Sequence, residues 1–157
     1  MTDQSRTEPS MRRRGFIFAI VAMAAGGGIF ASRWYNIGAD ISAGALSVQD
    51  AHAQAVTGDI FLIDIRRPDE WARTGVGEGA IALDMRRDDF TDELLKITGG
   101  DTGASVALIC ARGVRSRKMA SRLSQAGFTK IIDVPEGMLG SGAGPGWLRS
   151  KLPVVMS

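Results

Sequence analysis

From Ser47 onward, short apolar runs with no helical period alternate with stretches in which apolar positions return every three or four residues. Ser47 opens a stretch with Val48, Ala51, Ala55 and Val56 near helical spacing, and Gly58 stands where a helix ends. Asp59 to Asp64 is a buried-strand pattern, followed by Pro68 at a first helical position, with Asp69 and Glu70 in the first turn and Trp71 behind them. Ala80 to Leu83 is a second strand pattern, and Phe90, Leu94 and Ile97 fall on one helical face that ends at Gly99-Gly100. Ser105 to Ile109 forms a third strand running into Cys110. From Ser116 the positions Met119, Ala120, Leu123 and Ala126 keep a 3.6 period up to Gly127, and Lys130 to Val134 is a fourth strand. Strands alternating with helices predict an α/β domain with a largely parallel sheet, whose ligands sit at the carboxyl ends of the strands, where Cys110 falls. Residues 137–146 hold five glycines and Pro145, an irregular loop before Trp147 and Leu152 to Val155.

The first 45 residues follow another rule. Arg12, Arg13 and Arg14 precede residues 15–32, which carry no charge, and Arg33 follows. A basic cluster before an apolar segment is the pattern of an export signal or a membrane anchor, with the arginines left in the cytoplasm. Arg13-Arg14-Gly15-Phe16-Ile17 resembles the twin-arginine signal of bacteria. Cleavage fits after Ala31 or at Ala43-Gly44-Ala45. The chain therefore divides into a signal or anchor with linker, 1–45, and a domain, 46–157, expected in the periplasm or held to the inner membrane on its periplasmic side. Membrane association would run through residues 15–32. The alternative is a buried core helix in a cytosolic protein, which three flanking arginines and an all-round apolar surface disfavour.

With 157 residues the chain has room for one domain of ordinary size. Its formal net charge of +2 conceals a separation: residues 50–101 carry twelve acids against six bases, and 102–132 carry six bases and no acid. The second region should attract small anions, while the near balance of the whole gives no footprint for nucleic acid. One cysteine and one histidine, Cys110 and His52, exclude an internal disulfide and a multi-cysteine or His-rich metal site, and no cofactor is expected.

Cys110-Ala111-Arg112-Gly113-Val114-Arg115 joins a buried strand to an amphipathic helix. The sulfur therefore lies at a helix N-terminus, where unpaired amides, the helix dipole and two arginines favour the thiolate. Gly113 lets the backbone curl into a nest for an anion. A buried, inert cysteine is the alternative.

At this loop the chain resembles the rhodanese family of sulfurtransferases. Leu62-Ile63-Asp64-Ile65-Arg66 with Glu70-Trp71 is similar to the family's Asp-x-Arg and Glu-Trp motif. Gly75 with Gly79-Ala80-Ile81 resembles its Gly-His-Ile-x-Gly-Ala segment, Cys110 to Arg115 its Cys-x-x-Gly-x-Arg loop, and Trp147 with Leu152-Pro153-Val154 its C-terminal end. The resemblance implies a rhodanese-like fold, a mainly parallel central sheet with helices on both faces. It also implies that Cys110 takes a sulfane sulfur from a small anionic donor such as thiosulfate, becomes a persulfide, and passes the sulfur to a thiol or to cyanide. The amides of Ala111, Arg112, Gly113, Val114 and Arg115 would stabilise the persulfide, Arg112 and Arg115 would attract the donor, and Asp64 and Arg66 would support the loop.

Two departures stand out. Val76 and Gly77 replace the family's His-Ile pair, and Glu136 to Gly146 is longer than the usual segment before Trp147. That stretch reads either as a lid, with Met138 and Leu139 altering acceptor choice, or as an uninvolved surface loop. Only four residues separate Cys110 from Arg115, one fewer than the Cys-x5-Arg loop of cysteine phosphatases, and Ser116 occupies the phosphatase arginine position. Phosphate ester hydrolysis is therefore disfavoured. The competing functional class is a module that binds a partner or carries persulfide slowly.

Overall fold

A computed structural model describes residues 32, 34–39 and 44–156 of the chain. The arginine cluster, residues 15–31 and Ala43 lie outside the described residues, so the signal or anchor reading is carried by sequence alone. Among the described residues, no helix is long and apolar enough to cross a membrane.

Helix α1 (Val48–Thr57) begins where its cap predicts: the Ser47 hydroxyl accepts the Asp50 amide at 3.1 Å, and Gly58 closes the helix in the left-handed conformation. Strand β1 (Phe61–Asp64) leads through Arg66 to α2 (Pro68–Thr74), which has Pro68 in its first turn. Strands β2 (Val76–Gly77) and β3 (Ala80–Ala82) are followed by α3 (Phe90–Ile97), β4 (Val106–Ile109), α4 (Val114–Gln125), β5 (Ile131–Asp133), α5 (Gly146–Arg149) and β6 (Val154–Val155).

The central sheet has the order β3-β1-β4-β5, and every pairing in it is parallel, with Ile63 opposite Ile81 and Leu108, and Leu108 opposite Asp133. A parallel sheet needs cover on both faces, and alternation along the strands supplies it. Ile63 and Leu108 pack with Phe90 and Leu94 of α3 and Met119 and Leu123 of α4. Leu62 and Ala107 pack on the other face with Val48 and Ala51 of α1 and Trp147 of α5. The expected α/β architecture with helices on both faces is present.

Three features differ from the sequence expectation. Helix α4 starts at Val114, two residues earlier than its apolar period, because Gly113 turns left-handed and releases the chain into the helix at once. Two residues at each of β2 and β6 pair antiparallel, Val76 with Val155 and Gly77 with Val154, a ladder too short to show a period. Met138 is fully buried in the α1 and α5 face of the core, so it is no lid. Its side chain is one of the few apolar groups in a glycine-rich stretch, and burial there follows from the hydrophobic effect.

Three buried charged side chains position the ends of these elements. The Glu136 carboxylate accepts the amide of Val48 at 3.0 Å and that of Gly146 at 3.0 Å, joining the start of α1 to the start of α5. At the end of β1, Asp64 and Arg66 form a buried two-pronged pair, Nε to Oδ1 at 2.9 Å and Nη2 to Oδ2 at 2.7 Å. The remaining Arg66 donors reach Thr74 Oγ1 and the Gly75 carbonyl, both at 2.8 Å, which fixes the exit of α2.

Such a pair is costly to break and cheap to replace as a unit. Arg66→Met leaves the Asp64 carboxylate buried without its partner and is expected to lower unfolding free energy by about 3–5 kcal/mol in urea titrations, whereas Asp64→Leu/Arg66→Met recovers part of the loss. Equal destabilisation in the single and double variants would show that the loss comes from the Arg66 contacts to Thr74 and Gly75 and not from an orphaned carboxylate.

Candidate active site

Strand β4 ends at Ile109 and α4 begins at Val114, so the loop between them must turn in four residues, Cys110 to Gly113. Gly113 makes that possible, with φ 78° and ψ −13°, and a Cβ there would strike the Pro135 carbonyl. Gly137 matches it from the other side: with φ 67°, it lies so close that a Cβ would fall 2.6 Å from the Ala111 carbonyl. The glycine-rich stretch is thus seated against the cysteine loop.

Hydrogen bonds between the two stretches consume the loop's carbonyls. The Met138 amide donates to Cys110 O at 2.8 Å and the Leu139 amide to Ala111 O at 2.9 Å. Asn36 Nδ2 donates to Arg112 O at 2.9 Å, and Gly113 O accepts both the Arg117 amide and the Ser116 hydroxyl. The amides of Ala111, Arg112, Gly113, Val114 and Arg115 have no protein acceptor among the described residues. A loop whose acceptors are spent and whose donors are not is suited to an anion, and the N-terminus of α4 adds its dipole.

Cys110 packs as part of the core, 1 % exposed, with its sulfur 3.7 Å from Ser116 Oγ. Arg115 lies against this sulfur, but its guanidinium also forks onto the Glu70 carboxylate of α2, with both contacts at 2.7 Å. That hydrogen bond, against partial desolvation, holds Arg115 more firmly in its charged form, and the Cys110 sulfur adds to the effect. Burial alone would push the Glu70 carboxyl up. The Arg115 fork, the Arg67 amide and the charges of Arg115 and Arg66 outweigh it and hold Glu70 at about 2. Arg115 therefore faces the sulfur as half of an ion pair.

Arg112 turns elsewhere, donating to Gly140 O at 3.1 Å and lying 4.6 Å over the Tyr35 ring. Asp64 and Arg66 make no side-chain hydrogen bond to the cysteine loop. They brace the exit of α2, and α2 carries Glu70, so their support reaches the loop through Arg115.

Sequence reasoning did not find four contributors to the site. Glu70 was legible as an acid in a helix's first turn and as part of the Glu-Trp motif, but not as the partner of Arg115, which lies 45 residues away. Ser116 stands next to the loop motif without belonging to it. Asp133, at the end of β5, has a carboxyl pushed up by burial, against the Ser116 hydroxyl, Arg117 and the Val134 amide, and its Oδ1 has no hydrogen-bond partner among the described residues. Asn36 lies in the segment assigned to a linker, yet it holds the Arg112 carbonyl.

Comparison with known proteins bears on the family and the fold. The uncharacterized protein RP600 homolog of Rickettsia rickettsii is 26% identical over 103 residues, which are 59% of this chain and 80% of that protein. The solution structure of a polysulfide-sulfur transferase homodimer from Wolinella succinogenes superposes with a TM-score of 0.55 and 25% identity, covering 83% of this chain and 88% of that one. The Alr3790 protein from Anabaena sp. shares the fold, with a TM-score of 0.54 and 15% identity over 70% of this chain and 90% of that one. The sequence model of the rhodanese-like domain matches residues 47–140, more than half of the chain and inclusive of the whole cysteine loop, so the chain belongs to the rhodanese-like domain family.

Proposed function

We propose that the protein is a sulfurtransferase that moves a sulfane sulfur from an anionic donor such as thiosulfate, through a persulfide on Cys110, to a nucleophilic acceptor, a thiol or cyanide. The observation that carries the reading is the loop from Cys110 to Arg115, with its carbonyls engaged from outside and its amides left to an anion. The Cys110 thiolate attacks the outer sulfur of thiosulfate, the sulfur–sulfur bond breaks, and sulfite leaves with the electron pair. The acceptor then attacks that outer sulfur, and Cys110 Sγ leaves as the thiolate. In both steps negative charge develops on sulfur beside the amides of Ala111 to Arg115 and the Arg115 guanidinium, where preorganised donors stabilise it.

The near-complete burial of Cys110 favours a second reading, a slow persulfide carrier. The two differ in turnover. Cys110→Ser is expected to fold normally and produce no thiocyanate from thiosulfate and cyanide, and mass spectrometry of wild type after thiosulfate should show one added sulfur on Cys110. Loading without steady-state thiocyanate formation would identify the carrier, and wild-type rates in Cys110→Ser would remove the sulfurtransferase reading.

The Glu70–Arg115 pair sets a pH dependence. Because Glu70 is held at about 2 against an ordinary value of 4.5, its stabilisation is complete above that ordinary value and is lost as pH falls toward 2. The stability difference between wild type and Glu70→Gln should be on the order of 2 kcal/mol and constant from about pH 5.5 to 8, then shrink on acidification. A difference independent of pH down to 3 would show that the carboxylate is not the stabilising form.

For location we propose export to the periplasmic side, on the strength of Arg13-Arg14 before Phe16-Ile17 and the uncharged stretch behind them. Fractionation of a bacterial host should find the wild type beyond the cytoplasm and Arg13→Lys/Arg14→Lys retained. Equal export of both would remove the twin-arginine route, and a full-length soluble wild type in the cytoplasm would remove the address altogether.

A further inference from the structure

Residues 15–32 carry no charge, and the chain that leaves them is fastened to the domain almost at once. Ser32, Trp34 and Tyr35 are helical, and the helix stops at Asn36, which takes the left-handed conformation with φ 49°. The Ile37 amide donates back to Ser32 O at 3.1 Å, the six-to-one bond of a Schellman cap. The capping residue is also a clamp: Asn36 Nδ2 donates to Arg112 O at 2.9 Å, and Asn36 O accepts the Gly142 amide at 2.9 Å. Gly142 allows this approach, since a Cβ there would overlap the Ile37 carbonyl. At 1.5 Å per helical residue, the end of the uncharged stretch and the clamp are about 6 Å apart along the axis.

Around the clamp the surface has two characters. Trp34, Tyr35 and Ile37 are 64%, 50% and 62% exposed, three large apolar side chains within four positions. Exposed apolar groups gathered in this way mark an interaction surface, and Trp and Tyr at the end of an apolar stretch are the side chains that favour a membrane–water boundary. Beside them lies a concavity of about 380 Å³ that holds two cations, Arg112 of the cysteine loop, stacked 4.6 Å over the Tyr35 ring, and Arg149 of α5. Their guanidiniums donate to the carbonyls of Gly140, Pro145 and Leu139, and neither meets a carboxylate within ion-pair distance among the described residues. The surface lies on the carbonyl side of the loop and includes neither Cys110 nor Arg115.

We propose that this surface rests on a lipid bilayer with anionic headgroups, residues 15–32 being retained as the anchor, with Trp34, Tyr35 and Ile37 at the edge of the hydrocarbon and headgroup phosphates between Arg112 and Arg149. The proposal rests on the export reading and takes its uncleaved form. The polar layer on one side of a bilayer is about 5–8 Å deep, so a clamp about 6 Å beyond an apolar segment holds the domain at headgroup depth. Two hydrogen bonds from Asn36 leave no slack for the domain to stand away on a tether. Guanidiniums pair with phosphates through charge-assisted bonds, and each cation near an anionic surface strengthens attachment. The bilayer then covers the back of the cysteine loop, and the Arg115 side takes no part in the contact.

The test uses the full chain in vesicles of phosphatidylcholine alone and of phosphatidylcholine with phosphatidylglycerol. A polarity-sensitive fluorophore is attached through Ala143→Cys, beside the clamp, or through Val56→Cys, which lines no part of the surface, each combined with Cys110→Ser. The label at position 143 should shift to the blue in the anionic vesicles and lose the shift in high salt, while the label at position 56 stays unchanged. Arg112→Gln and Arg149→Gln should each lower the docked-to-undocked ratio about fivefold, with the chain still in the membrane fraction. Arg112→Lys/Arg149→Lys keeps both charges and should keep the shift. Identical behaviour of the two labels in every vesicle, or a shift indifferent to headgroup charge and to both Gln variants, overturns the proposal. A shift that follows protein concentration in neutral vesicles assigns the surface to a second copy, and one brought by polyglutamate but not by phosphatidylglycerol assigns it to an acidic protein; either overturns the proposal. Exported protein recovered soluble without residues 15–32 overturns it and leaves export standing, whereas full-length soluble protein in the host cytoplasm overturns both.

Discussion

Two backbone hydrogen bonds, from the Met138 and Leu139 amides to the carbonyls of Cys110 and Ala111, hold the cysteine loop from behind. Without them the loop's acceptors could turn inward, and the sulfur would face carbonyl dipoles of the wrong sign. They form only because two backbones approach closely, at Gly113 against Pro135 and at Gly137 against Ala111, where a Cβ on either glycine would collide. Burial of Met138 and Trp147 beneath the second stretch keeps it seated. Core packing on one face of the sheet thereby fixes which backbone groups face the Cys110 sulfur.

Electrostatic support enters from the opposite side. The acid-rich part of the sequence and its acid-free part meet at Glu70 and Arg115, and a further contact joins Asp133 to Arg117 at 4.0 Å. Arg115 is thus immobilised beside Sγ by a carboxylate that is itself held by α2, whose exit is fixed by the buried Arg66. A guanidinium already fixed in place needs little reorganisation when charge develops on sulfur. The cost is that its field is partly cancelled, which leaves Arg112 and Arg149 as the cations near the loop that lack a carboxylate among the described residues.

The four strands of the main sheet and helices α1 to α3 were legible because each carries a local signal: the Ser47 cap, Pro68 in a first turn, the Phe90 and Leu94 stripe, the uninterrupted run into Cys110. The cysteine loop was legible for the same reason, since its glycine and arginines stand within six residues. What stayed hidden is nonlocal. The ladder of β2 with β6 is two residues long and joins positions far apart in sequence. Glu70 finds Arg115 across the fold, and Asn36 finds Arg112 across 76 residues from a segment that reads as linker. Met138 sits among glycines that suggest an exposed loop, and only the depth of the α1 and α5 core shows otherwise.

Cys110 shares its packing cluster with Leu108, Met119 and Leu123, so its sulfur is a structural atom of the interior as well as the nucleophile of the proposed reaction. An atom added to Sγ is added at the edge of a close-packed solid, where extra volume must be accommodated by neighbours. On the proposed reading, resting and sulfur-bearing chains would therefore be two different packings of one core. Chemical state at the loop and conformational stability of the whole domain would then be linked quantities, and the midpoint of thermal unfolding a gauge of how much sulfur the chain carries.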